Sequence, residues 1–432
     1  MLFFNQLDTK EGSFSKSFDA YLLERNKVSG EVSQLVSEII LKIRSKGDNA
    51  LKDLTKEFDG FDSDIFKISS KEINQIVKSC DKDIFKSLEY SFEKILNYQS
   101  RCFASLNLED TDNEITRKFR VIESVGIYVP GGKASYPSTV LMGAAPAIAC
   151  GVSDISITSP AQNGILNTLT IAAAKVAGIE TIYRIGGAQA IAALAIGTDQ
   201  ISKVDKIIGP GNIFVAEAKK QLFGEVGIDS IAGPSEILIL ADSSSNPETI
   251  AWDLMAQSEH DSDASSILIS DSEEIIANVK KIISTEIDSL ERCSIIKESI
   301  SSNGLIIKID NFSEAKQLVN KIAPEHLHIA FDHMNYQDES LLIAGLILKG
   351  ENSANSFSDY ILGPSHILPT NSSSRFSSPL SVEDFLVSYS YISLDREKNI
   401  QKFNEYIDHT SKIAKAEGLT AHAIAAEKRF KN

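Results

Sequence analysis

Between positions 30 and 47 the apolar residues recur at helical spacing. Val32, Leu35, Val36, Ile39, Ile40 and Ile43 share one face, and Gly47 follows as a stop. A second helical pattern runs from about Ser70 to Arg101, so residues 1–115 read as a mainly helical segment without a chemical motif. From about position 116 the period changes. VGIYV (125–129), DISIT (154–158), TIYRIGG and VDKIIGPGN read as strands. They alternate with the helical stretches LNTLTIAAAKVAGI, QAIAALAIG and IFVAEAKKQLFG; Gly178 is placed to stop the first and Asn212 to cap the last.

The alternation then repeats. EILILAD (236–242), SSILIS (265–270), GLIIKID, LHIAF and AGLILKG read as strands. Between them lie the helix PETIAWDLMAQSE, opened by Asn246 and Pro247, a helix over 272–290, and FSEAKQLVNKI, stopped by Pro324. Short strand–helix cycles of this kind are the mark of βαβ units and parallel sheets. The expected architecture is α/β, with one α/β domain over 116–235 and a second over 236–380. From Ser381 the chain is mostly helical, polar and charged. Residues 381–432 carry too little apolar surface for a core of their own, so this tail must dock on the body or on a partner subunit.

Composition narrows the class. Of 432 residues 43% are apolar and 24% charged, which suits a folded globular chain and excludes a collagen-like, largely disordered or multi-span membrane protein. Lys+Arg 43 against Asp+Glu 59 leaves a net charge of −16, and no basic stripe appears, so nucleic acid is not an expected partner. The four cysteines, at 80, 102, 150 and 293, have no CxxC spacing and read as reduced thiols, with Cys150 buried in the run AAPAIACGV. The N-terminus has no secretory pattern. The longest apolar run, Val140 to Val152, is too short to span a bilayer and is broken by Gly143, Pro146 and Gly151. A cytoplasmic protein without a membrane partner is expected.

Two constellations could carry chemistry. Pro130-Gly131-Gly132, Gly186-Gly187 and Gly209-Pro210-Gly211-Asn212 each follow a strand, where α/β proteins place ligand-binding loops. Gly209-x-Gly211 lacks the third glycine of a dinucleotide fingerprint, because position 214 is Phe, and alone it reads as a tight turn. The second constellation joins histidine to carboxylate or amide. Gln257 and His260 lie three apart at a helix end and could converge on a metal; a solvated helix end gives the same pattern. Glu325 and His326, stiffened by Pro324, could supply two proton acceptors of different basicity, or form a surface turn. Asp359, Tyr360 and His366 follow a Ser- and Asn-rich loop, and Glu417 and His422 sit in the tail. His328, His333 and His409 read as structural or surface residues, and Trp252 as core packing on an amphipathic helix.

Taken in order, GIYVPGGKASYPSTVLMGAAPA, RIGGAQAIAALA, IIGPGNIFVAEAK, DSIAGPSEILILAD, DLMAQSEHD, APEHLHIA, SDYILGPSHILPT and EGLTAHA strongly resemble the histidinol dehydrogenase family of histidine biosynthesis. The resemblance implies oxidation of L-histidinol to L-histidine through a bound aldehyde, with two NAD consumed in succession. It implies one zinc ion (Zn2+) per site, held by Gln257, His260, Asp359 and His422. It assigns proton transfer to His326 and water activation to Glu325. Ser235, Gln257, His260, His326, Asp359, His366, Glu417 and His422 match substrate-contacting positions, and Tyr128, Gln189 and Asn212 match NAD-contacting ones. The implied fold is two incomplete Rossmann-like domains, similar to aldehyde dehydrogenases. The implied assembly is a homodimer whose C-terminal tail completes the neighbouring site.

One departure concerns the metal loop. The family commonly has Gly immediately before the metal-binding Asp; here Ser358 stands there, and a positive φ would strain it. Other readings remain at this stage: a related zinc-dependent dehydrogenase for another amino or sulfonated alcohol, a metal-dependent hydrolase on the same body, or a silent ligand-binding relative.

Overall fold

The computed structural model describes residues 4–24, 30–107, 109–112, 114–131, 136–331 and 342–429. Gly132 and His333 lie outside the described residues. The chain divides into two units, Met1–Ser105 with Val121–Leu386, and Leu106–Arg120 with Val387–Asn432.

Strand β1 (Asn5–Asp8) opens the chain, and β2 (Glu109–Asp112) pairs antiparallel with β3 (Ile115–Val121). Next come β4 (Ser124–Tyr128), β5 (Asp154–Thr158), β6 (Thr181–Tyr183), β7 (Lys206–Ile208) and β8 (Gly227–Ile228). These five form one parallel sheet in the order β6-β5-β4-β7-β8. Then follow β9 (Glu236–Ala241), β10 (Ser265–Ser270), β11 (Leu305–Lys308), β12 (His326–Ile329) and β13 (Leu346–Lys349). With β1 they build a six-stranded parallel sheet, β1-β11-β10-β9-β12-β13. The α/β expectation with two parallel sheets therefore holds.

Every residue of β9 and β10 is buried, as parallel strands covered on both faces must be, which is why they read as unbroken apolar runs. The helical face predicted near the N-terminus is real. Val36, Ile39, Ile40 and Ile43 are buried in one cluster with Ile191, Leu194 and Val215 from the helices around the five-stranded sheet. The apolar run after position 136 is a helix, Pro137–Cys150. Its Gly143 packs so closely on Ile127 and Ile208 that an added Cβ would lie 3.1–3.2 Å from them. No described helix is long and apolar enough to cross a membrane.

Three local readings change. Strand β1 joins the six-stranded sheet from a stretch without a strand pattern. In the second unit β14 (Leu386–Ile392) lines up as β14-β3-β2, where a mostly helical tail was expected; the helices Ile400–Ala416 and Thr420–Glu427 follow it. Strand β14 carries exposed polar and aromatic residues, and half of the partly buried positions of β3 are polar, so neither shows the apolar alternation that marks a half-buried strand. Trp252 is 39% exposed, because the helix Pro247–Ser258 buries Ile250, Ala251, Leu254 and Met255 on its other side; core packing is not its role.

Candidate active site

The site is built at the amino end of the six-stranded sheet. The helix Phe312–Ile322 stops at Ala323, which takes a left-handed conformation (φ +46), and Pro324 prevents its continuation. That turn delivers Glu325 and His326 to the start of β12, where both are buried. Glu325 Oε2 accepts the backbone N–H of Glu236 at 2.7 Å, and His326 Nδ1 lies 3.1 Å from the Glu236 carbonyl. A ring nitrogen facing a carbonyl must donate, so the tautomer is set and Nε2 is the basic atom. Among the described residues Nε2 is buried without a hydrogen-bond partner, 3.7 Å from Asp359 Oδ1.

Charge is concentrated here. Burial pushes the Glu325 carboxyl above the ordinary range. Burial also works against a charged His326, but the carboxylates of Glu325 and Asp359 outweigh it and push the ring up to about 10. Asp359 is held below the usual carboxylate range: burial opposes its charge, and His326 with the neighbouring His366 and His260 overcomes that opposition.

Asp359 sits in the short helix Asn355–Tyr360. Ser358 is therefore helical rather than left-handed, and its hydroxyl donates to the Asn355 carbonyl at 2.6 Å, so the Gly-to-Ser change brings no strain. Asn355 Nδ2 lies 3.2 Å from Gln257 Oε1 and 3.5 Å from Asp359 Oδ2, drawing two of the proposed metal ligands to one amide. Gln257 lies in the last turn of the helix Pro247–Ser258, and His260 follows three residues on with its pKa lowered by burial. His366 Nδ1 donates to the Asp359 carbonyl at 3.0 Å, and its Nε2 accepts from the Thr139 hydroxyl at 3.3 Å. Ser235 immediately precedes β9. Glu417 and His422 belong to the second unit and are exposed on it. Among the described residues no three His, Cys, Asp or Glu side chains are grouped to hold a metal. The proposed set asks the first unit for only two of that class, His260 and Asp359, beside the amide of Gln257. Nitrogen and neutral or anionic oxygen donors of this kind fit a borderline divalent cation.

The glycine loops follow the carboxyl ends of the five-stranded sheet, where the strand–loop rule places them. Tyr128, the last residue of β4, is buried, and its hydroxyl accepts the N–H of Gly187 at 3.0 Å. Burial pushes that hydroxyl up to about 12. Gly187 has φ +63, and Gln189 lies so close that a Cβ there would stand 2.7 Å from its Oε1. Gly209 has φ +106, and its Cβ would fall 2.1 Å from the Tyr128 carbonyl. Asn212 Oδ1 accepts the N–H groups of Phe214 and Val215 at 3.2 Å each, the predicted N-cap. Tyr128 thus gathers two glycine turns around it.

A family model described as histidinol dehydrogenase matches residues 23–430. The chain belongs to the histidinol dehydrogenase family. The histidinol dehydrogenase of Clostridium acetobutylicum is 43% identical over 423 residues, covering 96% of each chain. That of Oceanobacillus iheyensis is 44% identical over 411 residues, covering 94% of this chain and 95% of the relative. The crystal structure of histidinol dehydrogenase from Elizabethkingia anophelis superposes with a TM-score of 0.90 at 30% identity, over 99% of this chain and 98% of that one. Family membership makes the chain an NAD-linked oxidoreductase of histidine biosynthesis. Reading the sequence as a histidinol dehydrogenase did not reveal Glu236, Asn355 or Thr139, which act through one backbone unit, one amide and one hydroxyl. No motif announces such residues.

Proposed function

We propose that the protein oxidises L-histidinol to L-histidine through an aldehyde that stays bound, reducing two NAD in succession in the cytoplasm. The observation that carries the reading is the buried His326 Nε2. Among the described residues this ring nitrogen has no hydrogen-bond partner, and it lies 3.7 Å from the Asp359 carboxylate, in a chain of this family. His326 takes the hydroxyl proton in each oxidation, and Glu325, fixed by the Glu236 N–H, orients the water that hydrates the aldehyde. Gln257, His260, Asp359 and His422 would hold zinc. The dinucleotide would supply the hydride acceptor, and zinc a Lewis-acid anchor for the substrate whose charge would offset the Asp359 carboxylate that favours protonated His326. Ser235, His366 and Glu417 position the substrate, and Tyr128, Gln189 and Asn212 the dinucleotide. In this reading residues 116–235 serve the cofactor and 236–380 the metal and the proton chemistry. Residues 381–432 form a dimerisation tail that brings Glu417 and His422 to the neighbouring site. Two NADH per histidinol, with turnover abolished by a chelator and restored by zinc, supports the proposal. One NADH with free aldehyde refutes it.

A further inference from the structure

Lys219 and Asp229 form an ion pair with side chains only 2% and 3% exposed. Burying two charges is costly, and a well-packed apolar pair often serves stability as well, so stability alone is a weak reason for it. Each partner of the pair hydrogen-bonds one backbone group of Gly209. Lys219 Nζ donates to the Gly209 carbonyl at 2.9 Å, and Asp229 Oδ2 accepts the Gly209 N–H at 2.7 Å. Asp229 Oδ1 takes the rest, from Lys219 and from the Ser230 N–H. Gly209 needs such a hold. It has no side chain, its φ is +106, and its Cα is pressed against the Tyr128 carbonyl. The loop closes on itself: Asn212 caps the helix Ile213–Leu222, and that helix returns Lys219 to Gly209 two turns later.

We propose that the Lys219–Asp229 ion pair is a positioning device for the dinucleotide. It grips Gly209 by both backbone groups and so fixes the Gly209–Asn212 loop against Tyr128. The inference rests on the reading of Tyr128, Gln189 and Asn212 as the dinucleotide site.

The test uses the full-length, zinc-loaded enzyme and the variants K219M, K219M/D229N and N212S. KM for NAD, NADH binding by fluorescence titration, KM for histidinol, kcat and the melting temperature are measured for each. K219M strands a buried carboxylate and loses stability; the double variant removes that stranded charge and recovers it. Neither restores the donor to the Gly209 carbonyl. KM for NAD is therefore expected to rise about tenfold in both, the worth of one charge-assisted hydrogen bond, while KM for histidinol stays within about twofold. If K219M does not fold, the double variant carries the test. Recovery of the NAD KM together with stability in the double variant overturns the proposal, as does a parallel rise in the histidinol KM. N212S keeps the helix cap and loses the amide donor. Unchanged NADH binding in N212S sinks the underlying site reading; weakened binding there with normal binding in the double variant sinks the ion-pair proposal alone.

Discussion

His326→Asn separates the two nitrogens of one ring. The Asn amide nitrogen can stand where Nδ1 donates to the Glu236 carbonyl, so the local fold keeps its bond. Nothing in Asn replaces Nε2. A positioned general base contributes about 10²–10⁴ in rate, or about 2.7–5.5 kcal/mol of activation free energy. His326 is only 3% exposed, so bulk water has poor access to serve as a substitute, which favours the upper half of that range. The expectation is a loss of about 10³-fold or more in both oxidations, with a melting temperature near the parent's. The assay is single-turnover stopped flow at the nicotinamide band, started once from histidinol and once from histidinal. If either half-reaction keeps more than about a tenth of its rate, His326 is not the base for that step, whatever the other half shows.

Glu325→Gln preserves an acceptor for the Glu236 N–H but removes the charge that orients water, so the second oxidation should slow more than the first. A larger loss in the first hydride than in the second, in the same stopped-flow experiment, overturns that division. Asp59 offers a pH test away from the proposed metal ligands. Burial pushes its carboxyl up to about 6, while the unfolded group ionises near 3.9. The folded state therefore binds the proton more tightly, and its stability falls as pH rises from about 4 to about 6, then stays penalised. Asp59→Asn removes the penalty and should stabilise the protein by about 1–2 kcal/mol at pH 7 and by little near pH 4, after allowance for solvent screening. Equal differences in denaturation midpoint at the two pH values refute it.

The strands buried on both faces were legible because nothing but apolar side chains fits there; Ile237 to Leu240 and Ile267 to Ile269 are each fully buried. The caps at Asn212 and Asn246 were legible because their side chains act within three residues. Strand β14 was not, because six of its seven residues remain exposed, and β3, half-buried at best, follows no apolar period. Of the site, the family resemblance grouped Gln257, Asp359, His326 and His366 around one substrate, but residue spacing alone could not relate them. Their meeting depends on Asn355 bridging two side chains 98 and 4 positions away, a relation that exists only in the fold. Lys219 reads as an ordinary lysine in the last turn of a helix; only packing reveals it as buried. His328 was read as structural or surface, and it is structural: fully buried, with Nδ1 3.0 Å from Asp253 Oδ2 and Nε2 3.0 Å from the Gly350 carbonyl.

The two sheets use opposite strand ends, and the reason is backbone supply. In the five-stranded sheet the glycine turns follow β4, β6 and β7, at the carboxyl ends where open α/β sheets place their ligand loops. In the six-stranded sheet Glu325 and His326 arrive at the amino end of β12 instead. There Glu236, the first residue of β9, still has both backbone groups to give to that side, because the β12 ladder begins one residue later, with His326 opposite Ile237. The Glu325 carboxylate takes the N–H and the His326 ring takes the carbonyl. A buried backbone unit must find partners, and these two side chains are the partners it finds. The Glu325–His326 pair is thus held by the requirement that ends a sheet cleanly. This explains how a histidine can keep Nε2 unbonded in a buried site without losing its orientation: Nδ1 alone is tied to the neighbouring strand.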